Sequence, residues 1–259
     1  MLLQIMLPPF SVVIPAFNEA ERIGETLRLT LKYLVAVAPE SELIMVNDGS
    51  TDATSAIARE VLATAKLRTQ FLENFPNRGK GAAIRRGLLA AQKPIGLFFD
   101  ADLSTPLEET PKLIEPIANG EVDVAFGSRA LDRRLIGHHQ PWRREQAGRI
   151  FNLIVRFATG LPFWDTQCGF KAFRLDVCRP ILENARIIGF AFDVELLYLA
   201  QRAGLRLREI PVRWNHSEGS KIRIIHDSLR MLREIMTLRM QAGAMDSPAR
   251  EELRELRKL

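Results

Sequence analysis

The first half of the chain alternates short apolar runs with stretches of helical period, and few folds accept that pattern. Phe10–Ile14, Leu43–Val46, Thr69–Leu72, Ile95–Phe99 and Val122–Phe126 read as buried strands. Between them, Glu19 to Val37, Ala53 to Ala65, Gly79 to Ala91 and Leu107 to Ala118 read as helices. In the first of these, Ile23, Leu27, Leu31 and Leu34 share one face. Strand and helix in turn, without a repeat, predict an α/β fold of right-handed βαβ units on a largely parallel sheet. Beyond Gly127 the alternation loosens. The segment Arg129 to Arg149 has little periodicity. After it come a predicted helix at Gly148–Thr159, a strand at Phe170–Phe173, a helix at Val194–Arg202 and a strand at Leu207–Val212. No linker separates two cores, so residues 1–240 are expected to form one domain and residues 241–259 a charged tail.

Strand ends carry the residues with chemistry. Ile95–Phe99 stops abruptly at Asp100-Ala-Asp102, which places two carboxylates at the carboxyl edge of the sheet, where open α/β folds bind ligands. Two close carboxylates repel, and a hard cation such as Mg²⁺ or Mn²⁺ relieves that repulsion while bridging to substrate phosphates. Acidic turn residues also cap helices, and that reading stays open at this point. Val46-Asn-Asp48 ends a second strand, where a carboxylate can accept from a ribose hydroxyl or a base N–H. A plain Asp48-Gly49 turn is the competing reading. Asn77-Arg-Gly-Lys-Gly81 opens a helix and offers backbone N–H groups and two cations, Arg78 and Lys80, to an anion, although it lacks the P-loop pattern. Arg129, Arg133, Arg134, Arg143 and Arg144 suit phosphate, whose oxygens match the guanidinium fork; a solvated basic face is the alternative.

Bulk properties narrow the partners. A net charge of +5 favours nucleotides, phosphates or anionic lipids. No zinc-finger spacing and no basic tract interleaved with aromatics is present, so nucleic acid is not an expected partner. Cys168 and Cys178 form no framework or metal cluster and read as reduced thiols of a cytoplasmic protein. Met1–Phe10 is apolar but too short to span a bilayer, and no segment has the roughly 18 consecutive apolar residues that a spanning helix needs. From Asp227 the chain looks helical and amphipathic, with Leu229, Leu232, Met236 and Met240 on one face and Met231, Ile235 and Leu238 broadening it. Such a stripe packs on the protein's own core or lies in a membrane interface.

Taken in order, these motifs resemble one family. Val13-Ile-Pro-Ala-Phe-Asn-Glu19, Val46-Asn-Asp-Gly-Ser-Thr-Asp52, Asn77–Gly81 and Phe99-Asp-Ala-Asp102 are similar to the donor-binding half of family 2 glycosyltransferases. Ala125-Phe-Gly-Ser-Arg129, Asp165-Thr-Gln-Cys-Gly-Phe-Lys171, Ala191-Phe-Asp-Val-Glu-Leu-Leu197 and Trp214 through Glu218-Gly-Ser-Lys-Ile222 resemble the dolichyl-phosphate β-glucosyltransferases and, less closely, the dolichyl-phosphate mannose synthases. The resemblance implies a GT-A fold, a Rossmann-like three-layer sandwich around a mostly parallel mixed sheet. It also implies inverting transfer of glucose from UDP-glucose to a polyprenyl phosphate, with GDP-mannose or a soluble hydroxyl acceptor as alternatives. A silent sugar-nucleotide or lipid-binding module is the non-enzymatic alternative.

By the same resemblance, Pro15, Ala16, Asn18, Glu19 and Asp48 would line the nucleoside pocket, with Lys80 and Ala101 beside the donor. Asp100 and Asp102 would hold Mg²⁺ or Mn²⁺, Asp102 the more direct ligand; Ser104 stands where mannose synthases tend to carry Gln, so a third protein ligand is not expected. Arg129 and Lys221 would sit near phosphates, and Asp165, Gln167 and Asp193 around the transferred sugar and acceptor. A hydroxyl acceptor needs a base, for which Asp193 or Glu195 is the candidate. An ionised lipid phosphate needs cations for placement instead, which makes Asp193 a sugar contact first; both acids could also merely cap the following helix. The expected location is cytoplasmic, peripherally associated with a membrane.

Overall fold

The computed structural model describes residues 6–138, 142–216 and 230–238. Lys221, the charged tail 241–259, Leu229, Met240 and the side chains of Arg143 and Arg144 lie outside the described residues.

Four strands, β1 (Phe10–Ala16), β2 (Glu42–Asp48), β3 (Arg68–Asn74) and β4 (Ile95–Phe99), run parallel, joined by helices α1 (Ile23–Val37), α2 (Thr54–Ala63) and α3 (Lys80–Ala90). After a 3-10 turn at Leu107–Glu109 and α4 (Thr110–Ala118) comes β5 (Val124–Ser128). A short β6 (Ile136–His138), the long α5 (Trp142–Thr159), β7 (Phe170–Arg174), α6 (Leu175–Asn184), α7 (Phe192–Arg202), β8 (Leu207–Pro211) and β9 (Trp214–Asn215) follow. The main sheet has the order β3-β2-β1-β4-β7-β5-β8, in which β7 is antiparallel to both of its neighbours and the other pairs are parallel. It is the mixed sheet that the motifs implied. β6 and β9 pair separately in a two-stranded parallel ribbon.

Alternation along the strands builds the three layers. In β1, Val12 and Ile14 face the side covered by α1, α2 and α4, whereas Val13 faces the side covered by α3, α6 and α7. Both faces are dry, which is why the strands read as continuous apolar runs. Residues 230–238 are helical, and Met231, Ile235 and Leu238 sit within 9% exposure in the core beside α7. Burying three such side chains contributes about 1.5–3 kcal/mol each. That face of the tail segment therefore belongs to the protein's own core, and Met236 points outward.

Four elements depart from the expectation. α6 escapes the sequence pattern because Pro180 lies inside it, although Leu175, Val177, Cys178, Ile181 and Leu182 bury one face. α5 begins six residues before Gly148, in the Arg-rich stretch, and β6 and β9 are too short to carry a period.

Candidate active site

The carboxyl ends of β1, β2 and β4 converge at one edge of the sheet. Pro15 and Ala16 close β1 and are buried. The loop beyond them is knitted to the loop after β2. Asn18, held at φ 54°, accepts from the Thr51 N–H at 2.8 Å, while its own N–H donates to Ser50 Oγ. The Glu19 N–H donates to Thr54 Oγ1 at 2.7 Å, and the Glu19 carboxylate pairs with Arg22. These contacts tie the loop after β1 to the loop after β2.

Asp48 does something the sequence did not suggest. Its carboxylate accepts from Asn74 Nδ2 at 2.7 Å and from the backbone N–H groups of Arg78 and Gly79 at 3.1 and 2.8 Å. About four acceptor sites exist on a carboxylate, so most of its capacity goes to pinning this loop. The amides of Gly81 and Ala82 donate to the Ile188 carbonyl. Those donors therefore serve the protein's own acceptors, which corrects the expectation that Asn77–Gly81 presents its backbone N–H groups to an anion. The packing is tight: Gly79 has φ 106°, and a Cβ there would stand 2.3 Å from Ile188 O. What the helix start delivers is the Lys80 side chain, whose Nζ lies 2.6 Å from Asp100 Oδ1.

Asp100 and Asp102 follow β4, with Ala101 buried between them. Asp102 Oδ1 accepts from the Ser104 N–H at 2.9 Å, and Leu103 is held at φ 48°, a strained setting for a side chain of its size. A Cβ on Gly169, just before β7, would fall 2.2 Å from Asp100 Oδ2, so glycine is what lets the carboxylate occupy that place. This hard-oxygen pair, opening into a small pocket with Ser104, Thr105 and Gly169, fits a divalent ion that draws its remaining ligands from phosphate and water. Among the described residues no cluster of three or more His, Cys, Asp or Glu forms a closed metal site.

Behind the pair lies Asp193, at the start of α7 and 3% exposed. It receives Lys171 Nζ at 2.6 Å, and the same ammonium donates to the Cys168 carbonyl. Burial pushes the Asp193 carboxyl above its ordinary range, against the pull of Lys171 and Lys80. Burial draws the Lys80 ammonium down, but Asp100, Asp193 and Asp102 hold it above its ordinary value. Glu195 is turned elsewhere and accepts from the Arg186 and Ile187 N–H groups at 2.8 Å each. Neither acid caps α7 through its side chain. Burial pushes the Cys168 thiol up to about 12, so it stays protonated.

Arg129 and Asp165 form a two-pronged ion pair at 2.7 and 2.8 Å, with the Arg129 backbone N–H adding a third contact. Burial works against both charges, yet each stabilises the other: Asp165 lies below and Arg129 above its ordinary value. The Gln167 N–H donates to Asp165 Oδ1, while Glu209 in β8 accepts from Ser128 Oγ and from the N–H groups of Trp164 and Asp165. Beside this network opens a cavity of about 480 Å³ lined by Arg129, Arg133, Arg149 and Arg156 as well as Gln167 and Trp214. Trp214 also lines the Asp100/Asp102 pocket, so the two spaces share this residue. The sequence assigned no part to Lys171, Gly169 or Glu209. A lysine within the apolar strand β7 was the one available signal, since a buried lysine needs a partner.

A mixed sheet with one reversed inner strand, and an acidic pair where β4 meets the crevice, define a GT-A glycosyltransferase. The chain belongs to glycosyl transferase family 2, whose model matches residues 11–182. It is similar to glycosyltransferase AglD of Haloferax volcanii, 34% identical over 228 residues, spanning 87% of this chain but only 36% of that one. It is also similar to the dolichyl-phosphate beta-glucosyltransferases of Saccharomyces cerevisiae, 33% identical over 250 residues (89% of this chain, 74% of that one), and of Homo sapiens, 33% identical over 246 residues (89% and 75%). Among solved structures, glucosyl-3-phosphoglycerate synthase from Mycobacterium tuberculosis in complex with Mn²⁺, UDP and glucosyl-3-phosphoglycerate superimposes with a TM-score of 0.64 at 22% identity, covering 90% of this chain and 79% of that one.

Proposed function

We propose that this enzyme transfers glucose from UDP-glucose to a polyprenyl phosphate, with inversion at the anomeric carbon. The observation that carries the reading is the meeting of the carboxylate pocket and the arginine-lined cavity at Trp214. A donor diphosphate at the first and an anionic acceptor in the second would lie on either side of one shared residue. The names of the eukaryotic relatives support a dolichyl-type phosphate acceptor and a glucosyl group, and UDP accompanies the superimposed synthase.

In this account residues 1–240 act as one unit. The β1 and β2 loops, with Asn18, Glu19 and Asp48, hold the nucleoside, and Lys80 meets the donor's phosphates. Asp100 and Asp102 hold Mg²⁺ or Mn²⁺, which supplies charge neutralisation for the departing diphosphate. Asp193, fixed by Lys171, contacts the sugar. The arginines of the cavity orient the acceptor, and the Arg129–Asp165 pair fixes the floor between acceptor and donor. A phosphate oxygen forms the new bond to the anomeric carbon while the bond to the β-phosphate oxygen breaks. UDP leaves with that electron pair, and no proton has to be removed.

The membrane side of the account rests on α5. Phe151 and Val155 face the core, yet Ile150, Leu153, Ile154 and Phe157 form a second apolar stripe on the open side, with Phe157 89% exposed. Trp142 and Trp164 are exposed nearby, and Arg149 and Arg156 line the adjoining cavity. An apolar stripe edged by arginines suits an anionic bilayer surface, and it brings the mouth of the cavity to the lipid. No helix among the described residues is long and apolar enough to cross a membrane.

Labelled UDP-glucose and GDP-mannose, each offered with a polyprenyl phosphate, test the chemistry. Label from the glucose donor is expected in the organic phase, and label from the mannose donor alone would reject the donor assignment. Sedimentation with anionic vesicles tests the docking face: the wild type should pellet and Ile150→Asp/Phe157→Asp should not. Equal pelleting would rule out α5.

A further inference from the structure

Lys80 occupies a position where its charge is disfavoured. It is the first residue of α3, and a helix N-terminus favours anions over cations by about 0.3–1 kcal/mol. The neighbouring backbone amides are already engaged with Asp48 and Ile188, so no bound anion is needed to satisfy them. The ammonium crosses instead to Asp100 Oδ1 at 2.6 Å. Lys171, the other ammonium nearby, is fixed on Asp193 and the Cys168 carbonyl. Lys80 is about a quarter exposed and Asp100 about a third, so this pair sits at the crevice surface, where partners can change.

Asp100 thus has two claims on it. An oxygen donating its lone pairs to an ammonium is a poorer ligand for a cation, and the ammonium repels a second positive charge brought to the same carboxylate. Gly169 backs directly onto Oδ2, which limits how far the carboxylate can turn away from Lys80. We propose that the Lys80–Asp100 pair is an exchange contact that couples divalent-ion binding to nucleoside diphosphate binding. Without the nucleotide, Lys80 occupies Asp100 and the ion binds weakly. With it, the diphosphate gives the Lys80 ammonium a new partner, and Asp100 is released to the ion. The inference rests on the reading of Asp100 and Asp102 as the ion's ligands.

Mn²⁺ binding to the full chain, followed through the electron paramagnetic signal of the free ion, tests the exchange without any turnover. In the wild type, UDP should tighten Mn²⁺ binding by roughly tenfold or more, and linkage requires Mn²⁺ to tighten UDP by the same factor. Lys80→Met should bind Mn²⁺ alone roughly tenfold more tightly than the wild type, with the effect of UDP reduced. Lys80→Arg, which keeps the charge, should bind the ion alone as weakly as the wild type. Equal Mn²⁺ affinity in the wild type and Lys80→Met, with Asp102→Asn abolishing binding in both, would overturn the exchange and leave the metal site standing. Mn²⁺ binding that ignores Asp102→Asn would overturn the metal reading and the exchange together.

Discussion

Replacing Gly169 by alanine puts the geometry of the acidic pair to a quantitative test. The added Cβ would lie 2.2 Å from Asp100 Oδ2, 2.7 Å from its Cγ and 2.9 Å from Oδ1. Carbon and oxygen in repulsion-free contact need more than 3 Å, so the whole carboxylate has to retreat by about 1 Å. Its outward side is open, about one-third exposed, so the retreat costs little stability, toward the low end of the roughly 1–3 kcal/mol typical of overpacking. A group displaced by about 1 Å in a site that works by positioning loses on the order of 10²-fold in rate. Gly169→Ala should therefore lower kcat/KM for sugar transfer by about 10²-fold and weaken Mn²⁺ binding, with a small change in Tm. Gly120→Ala, in the turn after α4 and outside both pockets, is the control: a Cβ there meets nothing within 4 Å, and alanine at φ 69° should cost about 1–2 kcal/mol while leaving the rate unchanged. Wild-type activity and Mn²⁺ affinity in Gly169→Ala would refute the argument that Asp100 must stand where it does.

Lys171→Met leaves Asp193 buried without its cation and should destabilise the fold by about 3–5 kcal/mol in urea unfolding. Lys171→Met/Asp193→Asn should recover much of that loss, and strictly additive effects would show that the pair is not coupled. Asp165, held below the ordinary carboxylate range, contributes stability above its unfolded pKa of about 3.9 and loses it as pH falls through the depressed folded value. Arg129→Gln should thus be less stable than the wild type at neutral pH, with the gap shrinking in urea titrations below about pH 4. A gap independent of pH would contradict the pairing. Ile235→Ala should cost about 2–5 kcal/mol if residues 230–238 are part of the core, and a neutral result would detach that segment from it.

Much of the fold was legible because the signals were local. Ile95–Phe99 is a continuous apolar run that ends in two acids, and the structure keeps those boundaries. α6 was hidden by Pro180, whose breaker reputation outweighed five apolar residues at helical spacing. The site was harder to read, because its contacts join distant parts of the chain. Nothing near Asp48 indicates that its partners come from the end of β3 and the loop after it, 26 to 31 residues downstream. Nothing near Gly81 announces an acceptor at Ile188. The apolar stripe of the last helix suited two environments equally, and the packing of Met231 and Ile235 decided for the core. The outward face of α5 went unnoticed because Phe151 and Val155, interleaved with it, make that helix apolar on both sides.

In the proposed reaction an ionised phosphate, placed by the arginine-lined cavity, attacks the donor without help from a base. Initial rates with a polyprenyl phosphate and with the polyprenol of the same length, measured side by side with UDP-glucose and Mn²⁺, test it directly. Transfer to the phosphate, none to the alcohol, and residual transfer to the phosphate in Asp193→Asn are expected. Transfer to the alcohol that disappears in Asp193→Asn would contradict it and make Asp193 the base of a hydroxyl-directed enzyme.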